Sequence, residues 1–288
     1  MSLRLPLTTA GALALASLLR AGSPGEDASA LYRAKKYPEA REAFARLSAA
    51  DPKNAEAHFY LGAIAQRRGD LDGALSELET ATSLDPANSS YFLELGGAYG
   101  EAAEKAGMFA KMGLAKKCQA ALEKAVELNP DNLVARNGLV SYYRAAPTFV
   151  GGGLSKAYDE AEEIRKRDPV MGASVLGQLY LAEKKYDQAF AIFEETLKTS
   201  PDSYLALYSV GRTAAQTGQH LDRGEQVLRH CLELAPGKGE PSHAAVHWRL
   251  GNLAEKRSDP ATARAEYESA LKIDPAFVQA QDSLSKLK

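Results

Sequence analysis

Two histidines four residues apart, His243 and His247, are the arrangement in this 288-residue sequence that comes nearest to a metal site. On a helix this spacing places both side chains on one face, where they can share a metal ion. The residues between them are Ala-Ala-Val, so the glutamate of a metalloprotease motif is missing and no third ligand is evident. We therefore predict that the pair packs against neighbouring residues and that the protein binds no metal and no cofactor. A metal-binding protein that uses this pair, or an enzyme, is the alternative.

The other residues that could take part in catalysis or bind an anion do not form a catalytic motif. Cys118 and Cys231 occur in apolar helical segments and are predicted to be buried small side chains. The glycines at 151–153 are followed by Leu-Ser-Lys, which is not the Gly-Lys-Ser/Thr order of a phosphate-binding loop. A turned connector is the favoured interpretation of these glycines, and an anion-binding loop is the alternative. The sequence thus predicts a protein that is not an enzyme.

The elements that position these residues are marked by prolines at similar intervals. Each proline ends an apolar run of helical period, and the successive spacings are 34, 44, 39, 32, 35 and 39 residues. The seven prolines are Pro52, Pro86, Pro130, Pro169, Pro201, Pro236 and Pro275. Such a period indicates a stack of similar helical units, because each unit alone cannot bury its apolar face.

Counting back from the prolines shows that the units share one packing rule. Twelve residues before each proline stands a small residue, as helices that cross closely require. Eight residues before the proline, most units have a large apolar residue. The small set is Ala40, Ala74, Cys118, Ala157, Ala189, Gly224 and Ala263, and the second set is Phe44, Leu78, Leu122, Ala161, Phe193, Leu228 and Tyr267. Each unit is therefore predicted to be an antiparallel helix pair.

This pattern resembles the tetratricopeptide repeat, which has Leu-Gly in its first helix (here Leu61-Gly62 and Leu250-Gly251), Ala and Phe or Leu in its second, and a closing proline. The resemblance implies an all-α, right-handed superhelical α-solenoid of about seven helix pairs, with a capping helix at 277–288. The first repeat departs from the pattern, since it lacks the Leu-Gly and most of the first helix. The predicted repeats are 27–54, 55–88, 89–132, 133–169, 170–203, 204–243 and 244–277, in a domain of residues 26–288.

The N-terminus has the layout of a secretory signal peptide. A basic start is followed by an apolar stretch from Leu5 to Leu19 and by a small-residue, helix-breaking segment that ends at Gly25. The apolar stretch is shorter than a membrane-spanning helix. We expect residues 1–25 to be removed and the mature chain, without a transmembrane segment, to be periplasmic or secreted, like exported bacterial members of the resembled family. The alternative is an N-terminal capping helix in a cytoplasmic protein.

Charge and register together define the predicted partner. The chain has 35 Lys and Arg against 37 Asp and Glu without a basic block, which argues against nucleic acid. The resemblance implies that the first helices line a groove, and the groove residues transferred by register are polar and basic with scattered aromatics. They are Phe59, Gln66, Arg67, Asn137, Arg144, Gln178, Tyr208, Arg212, Gln216, Trp248, Asn252 and Lys256. Such a lining suits an extended peptide or protein segment, so we predict a non-catalytic interaction scaffold.

Two irregular segments suggest a different function. Residues 104–113 make the third repeat ten residues longer and are predicted to lengthen both helices or to form a protruding hairpin. Met108, Phe109 and Met112 are predicted to pack on a neighbouring helix, and a contact site with a basic rim is the alternative. The linker at 237–242 is a candidate hinge. If the insertion and the ends of the array make the contacts, the protein is a structural envelope component instead of a groove-binding scaffold.

Overall fold

The structure is a computed structural model that describes residues 23–287. Its regular structure in that range is entirely helical, which confirms the predicted all-α class. The described residues divide into two compact units, one up to residue 86 (unit 1) and one from residue 87 onward (unit 2). Between Ser23 and Leu287 every helix is too short or too polar to cross a lipid bilayer.

Consecutive helices form antiparallel pairs in both units. Unit 1 contains the pairs α1 (Pro24–Arg33) with α2 (Tyr37–Ala50), and α3 (Ala55–Arg67) with α4 (Leu71–Leu84). Unit 2 contains α5 (Ser89–Lys105) with α6 (Met108–Leu128), α7 (Leu133–Ala145) with α8 (Leu154–Arg167), α9 (Pro169–Ala182) with α10 (Tyr186–Thr199), α11 (Tyr204–Thr217) with α12 (Leu221–Glu233), and α13 (His243–Lys256) with α14 (Pro260–Ile273). A 3-10 turn η1 (Thr148–Val150) follows α7, and α15 (Val278–Lys286) closes the chain.

Asparagines that follow the prolines by two residues begin several of the first helices. The side-chain oxygen of Asn54 accepts a hydrogen bond of 2.9 Å from the N–H of Ala57. Asn132 makes the same bond to the N–H of Ala135 at 3.1 Å. Each bond satisfies an N–H that has no partner within its helix. The proline therefore ends one helix, and the nearby asparagine begins the next.

Glycines of the first helices make room for large side chains of the second helices. A Cβ atom at Gly211 would lie 2.3 Å from Leu228 Cγ, and one at Gly177 would lie 2.0 Å from Phe193 Cζ. Both sets of packing residues predicted by counting back from the prolines are buried throughout. The predicted helix-pair packing is thus confirmed, and its contact is a large side chain of one helix over a glycine of the other.

Pro24 and Pro169 begin helices, contrary to expectation. Pro24 and Gly25 form the first turn of α1, where a helix-breaking segment was predicted. The Ser23 hydroxyl accepts from the N–H of Glu26, and the Glu26 carboxylate accepts from the N–H of Ser23, which together cap the helix. Pro169 is the first residue of α9, a position where its missing N–H costs nothing. The first pair therefore has a ten-residue first helix, although most of this helix was predicted to be missing. Residues 1–22 of the predicted signal peptide lie outside the described residues.

The insertion in the third repeat lengthens both of its helices, as one of the two predictions stated. α5 has 17 residues and α6 has 21, and only Ala106 and Gly107 separate them. Met108, Phe109 and Met112 are exposed, so the prediction that they pack on a neighbouring helix is wrong. Because the added residues extend the pair beyond its neighbours' length, nothing among the described residues covers this tip.

Candidate peptide-binding face

The predicted groove residues fall into two separate sets. In unit 1, Phe59, Gln66 and Arg67 lie on α3. In unit 2 the others lie on first helices of the pairs, namely α7, α9, α11 and α13. Within unit 2, α11 contacts both α9 and α13, so these three helices form one layer, which we call the first-helix face.

Arg67 is held in unit 1 by tyrosines of the first pair. Its Nε donates to the hydroxyl of Tyr32 at 3.1 Å. Its guanidinium carbon lies 5.6 Å from the ring centre of Tyr32 and 5.5 Å from that of Tyr37, within the range of cation–π attraction. Tyr32 was missed because the first helix of the first repeat was expected to be largely absent, and Tyr37 because it begins a second helix, whereas register selected only residues of first helices.

The aromatic residues of unit 1 continue inward from Arg67. Tyr60 lies between Tyr32 at 4.9 Å and the buried ring of Phe44, which it stacks on at 4.4 Å. Phe59 meets the edge of Tyr60 at 5.1 Å. Such ring pairs stabilise the packing beyond the area that they bury. Phe59 and Arg67 are therefore fixed in place by side chains behind them.

The centre of the first-helix face in unit 2 contains two arginines around Tyr208. The Tyr208 hydroxyl accepts a hydrogen bond of 3.4 Å from Nε of Arg249 on α13. Arg212 lies one turn beyond Tyr208 on α11, and its Nε atom is buried without a hydrogen-bond partner among the described residues. The guanidinium of Arg249 rests on the Trp248 ring, 4.0 Å from its centre. Register did not select Arg249 as a groove residue, because its side chain extends sideways from α13 toward Tyr208 on α11.

The remaining residues on α7, α9 and α11 offer amides and one further cation. Gln178 is exposed and its side-chain N–H donates to Ser174 at 3.3 Å. Gln216 and Arg144 are exposed, and Asn137 is half-buried. Amide side chains can donate to and accept from the backbone of an extended peptide.

On α13 the capping helix and the partner helix occupy two of the predicted residues. The Trp248 indole N–H donates to the Ser283 hydroxyl of α15 at 3.0 Å, and its ring packs against Phe277. The side chain of Asn252 lies 2.8 Å from the hydroxyl of Tyr267 on α14. Trp248 and Asn252 are thus half-buried and each is bonded to another helix, Trp248 to α15, which packs where the next repeat would begin. Lys256 is exposed at the end of α13.

The two histidines have separate partners. His243 Nε2 donates to the Leu234 carbonyl at 2.8 Å, and His247 Nδ1 lies 2.7 Å from a carboxylate oxygen of Glu266. Each ring is thus engaged in packing between helices, as the favoured interpretation stated. Within residues 23–287, no three His, Cys, Asp or Glu side chains gather in a way that could hold a metal ion.

Both cysteines are buried, as predicted. Burial raises the pKa of the Cys118 thiol to about 11 and that of Cys231 to about 12, because a thiolate loses its hydration there. Burial, followed by a hydrogen bond to Glu255, also raises the pKa of the Tyr267 hydroxyl. These groups remain neutral at physiological pH.

The three glycines form a turned connector, which confirms the favoured interpretation. The N–H groups of Gly151, Gly152 and Gly153 donate to the carbonyls of Thr148, Pro147 and Tyr143 respectively. All three donors that an anion would need are therefore occupied by the backbone. Gly151 also has a φ of 101°, a conformation that favours glycine.

Comparison with known proteins gives a family and a fold. Residues 26–89, 175–238 and 221–276 match one tetratricopeptide repeat model, and residues 103–132 match a second. The first model thus covers more than half of the chain.

Solved structures of similar proteins span almost the whole chain. A tetratricopeptide repeat protein from Parabacteroides merdae has a TM-score of 0.60 and 16% sequence identity, over 92% of this chain and 98% of that one. The C-terminal part of a repeat protein from Cytophaga hutchinsonii has a TM-score of 0.57 and 19% identity, over 90% and 99%. The pilF protein of Pseudomonas aeruginosa has a TM-score of 0.52 and 17% identity, over 81% and 97%. At these identities the likeness shows the fold alone.

Proposed function

We propose, since the chain belongs to the tetratricopeptide repeat family, that it is an interaction scaffold whose first-helix face in unit 2 binds an acidic peptide segment of a partner protein. The observation that carries this proposal is Arg212, whose Nε is buried and has no partner within residues 23–287. A buried donor left unpaired costs about 1–3 kcal/mol, and more when it is charged. Because Nε is covered by surrounding atoms, the half-buried side chain of Arg212 must turn outward to meet a peptide carboxylate, which would then supply the missing acceptor through two parallel bonds to the guanidinium.

The charge of the surrounding helices supports an acidic ligand. α7, α9 and α11 contain no Asp or Glu, and their only charged residues are Arg136, Arg144 and Arg212. Arg136 is buried and already paired with Glu160 of α8 at 2.7 Å. Arg212 therefore leaves positive charge on the first-helix face and Arg144 on the preceding first helix, α7, while Arg249 and Lys256 of α13 outnumber its single acidic residue, Glu255. A face with a net positive charge attracts a ligand of negative charge and raises its association rate.

The neighbouring groups favour a peptide over a free small anion. Gln178 and Gln216 provide amides that can bond to an extended backbone, and the buried Tyr208 holds Arg249 in place beside them. Their spread over α9 and α11 suits a segment of several residues. Unit 1 presents a comparable aromatic and basic set at Arg67, which makes it a second candidate contact for the same kind of partner.

A binding experiment with defined variants tests the proposal. Peptides of twelve random residues are selected by display on the full chain, and the best are labelled with fluorescein for anisotropy titration. We expect the selected peptides to be enriched in Asp and Glu, Arg212→Gln to weaken binding at least tenfold, and Arg144→Glu with Arg212→Glu to abolish it. Arg264→Glu, on the exposed side of α14, is the matched charge control and should bind normally. Selection of peptides without acidic residues, or normal binding by Arg212→Gln, would overturn the proposal.

The location of the protein is a separate proposal. The basic start and apolar stretch of residues 1–19 support export to the periplasm or secretion. N-terminal sequencing of the protein from a native envelope fraction should show a chain that begins near residue 26. An intact Met1 in a cytoplasmic fraction would contradict export and would leave the binding proposal unaffected.

A further inference from the structure

Apolar side chains protrude from unit 2 where first helices turn into second helices. Phe109 is 90% exposed, Met108 79% and Phe149 73%, the highest values among the large apolar residues that the structure describes. Exposed apolar residues that stand singly need no explanation, whereas a group of them marks an interaction site.

These residues occupy one edge of unit 2. Met108 and Phe109 begin α6, directly after the turn from α5, and Phe149 is in η1, between α7 and α8. α5 contacts α7, and η1 contacts α6, where Gly151 lies against the side chain of Gln119. Stacked pairs place their internal turns at the same end, so both turns lie on this edge. Because η1 contacts α6 near Gln119, ten residues after Phe109, the tip with Met108 and Phe109 stands about 15 Å beyond Phe149.

The same edge is rich in lysine. From Lys105 to Leu122 the sequence contains four lysines and no acidic residue, and from Ala145 to Tyr158 it contains Lys156 and no acidic residue. On α5, Glu104 and Glu101 offset part of this charge, and Glu101 pairs with Lys105 at 2.8 Å. The edge is thus positive in a chain whose net charge is −2.

We propose that this edge docks unit 2 on an anionic lipid surface. The residues of the docking edge are Met108, Phe109, Met112, Phe149 and Leu154, with Lys105, Lys111, Lys116, Lys117 and Lys156 around them. Apolar side chains at a protruding tip enter the boundary between headgroups and acyl chains, while lysines beside them bind anionic headgroups.

The charge argues against the other occupants. Two copies of the chain that met through this edge would bring lysines against lysines, which disfavours association. A peptide ligand is better served by a concave face, which can enclose it, than by a tip. An anionic bilayer meets both properties of the edge, because it accepts protruding apolar groups and neutralises lysines.

A site-specific probe tests the proposal on the full chain. Phe109→Cys is labelled with an environment-sensitive fluorophore; Cys118 and Cys231 are buried and should not react. Val134→Cys is the matched control, since Val134 is also exposed but lies in the first turn of α7, at the opposite end of its pair. With vesicles of phosphatidylcholine containing phosphatidylglycerol, we expect a blue shift at position 109 and none at 134. Vesicles of phosphatidylcholine alone should leave both probes unchanged.

Charge reversal then measures the contribution of the lysines. Each lysine near an anionic surface strengthens partitioning about fivefold, so Lys111→Glu with Lys116→Glu should weaken vesicle co-sedimentation by well over tenfold. Lys272→Glu, on the exposed side of α14, is the control and should co-sediment normally. The apolar stretch from Leu5 to Leu19 could itself bind vesicles, which is why the probe at position 109 decides the question.

Three outcomes would overturn the proposal. The first is a probe at 109 that stays in water although the chain binds the vesicles. The second is a blue shift that needs no vesicles and grows with protein concentration, which would make the edge a self-association surface. The third is a shift produced by an acidic protein but not by anionic vesicles.

Discussion

Alanine substitutions at two adjacent glycines of α5, Gly96 and Gly97, are expected to change stability in opposite directions. A Cβ atom at Gly96 would lie 2.8 Å from both Cγ and Cδ2 of Leu122, which is buried against it. A Cβ atom at Gly97 would meet nothing within 4 Å. Both substitutions gain the same helix propensity, about 0.5–1 kcal/mol. Only Gly96→Ala also overpacks the pair, which costs about 1–3 kcal/mol.

The difference between the two variants therefore isolates the packing term. Gly97→Ala should stabilise the chain slightly, and Gly96→Ala should be less stable than Gly97→Ala by about 1–3 kcal/mol. Leu122 cannot easily move away toward α7, because its Cδ2 atom already lies 3.1 Å from the position that a Cβ atom at Gly138 would occupy. If Leu122 is first replaced by alanine, the clash disappears and the two glycine variants should differ by only a few tenths of a kcal/mol.

Urea denaturation followed by circular dichroism gives the stabilities. Because repeat arrays can unfold in steps, hydrogen exchange of the α5 and α6 amides provides a local measurement beside the global one. The reasoning is refuted if Gly96→Ala is as stable as Gly97→Ala in the otherwise unchanged chain. It is also refuted if their difference survives in the Leu122→Ala background.

Two further predictions concern titration and reactivity. Hydrogen bonds from Arg257, then from Arg229, lower the pKa of Glu225, so its stabilisation is complete above the ordinary glutamate range and is lost as pH falls through the lowered pKa. The urea midpoint of Glu225→Gln should therefore fall less between pH 7 and pH 3 than that of the unchanged chain. Cys118 and Cys231 should not react with Ellman's reagent at pH 8 in the folded chain and should both react in urea, since burial and raised pKa values protect them.

The packing of the helix pairs was predictable because it repeats. Seven small residues at one distance from a proline cannot be explained by local preference, and the structure buries all of them. The fourth pair shows the limit of the rule. Its second helix has the small Ala161 where other pairs have Leu, Phe or Tyr, and Val140, eight residues after the cap Asn132, stands at the register of the glycines. The combined volume of the two contacting residues is thus similar in each pair, although the residue at a single position can be large or small.

The candidate site was less predictable because register identifies the face of a helix but not its neighbours. Trp248 was assigned correctly to a first helix, yet α15 covers it. Met108 and Phe109 have the apolar character of core residues, yet no helix reaches them among those described. Arg249 escaped selection because its importance comes from contact with Tyr208 on another helix. Each of these facts depends on which element packs next, which a single repeat does not encode.

The position of a polar residue in the repeat shows whether its side chain has a hydrogen-bond partner within the chain. Six residues after a repeat-closing proline, His58, Arg136 and Gln281 each donate a side-chain N–H to that proline's carbonyl, at 3.1, 2.8 and 2.7 Å. The bond satisfies a carbonyl that proline's helix-ending role leaves without a partner. A histidine or arginine at this position is therefore explained by the fold. Arg212 stands at no such position and its Nε finds no acceptor within residues 23–287, so the repeat does not explain this residue, and under the proposed function a ligand supplies the acceptor.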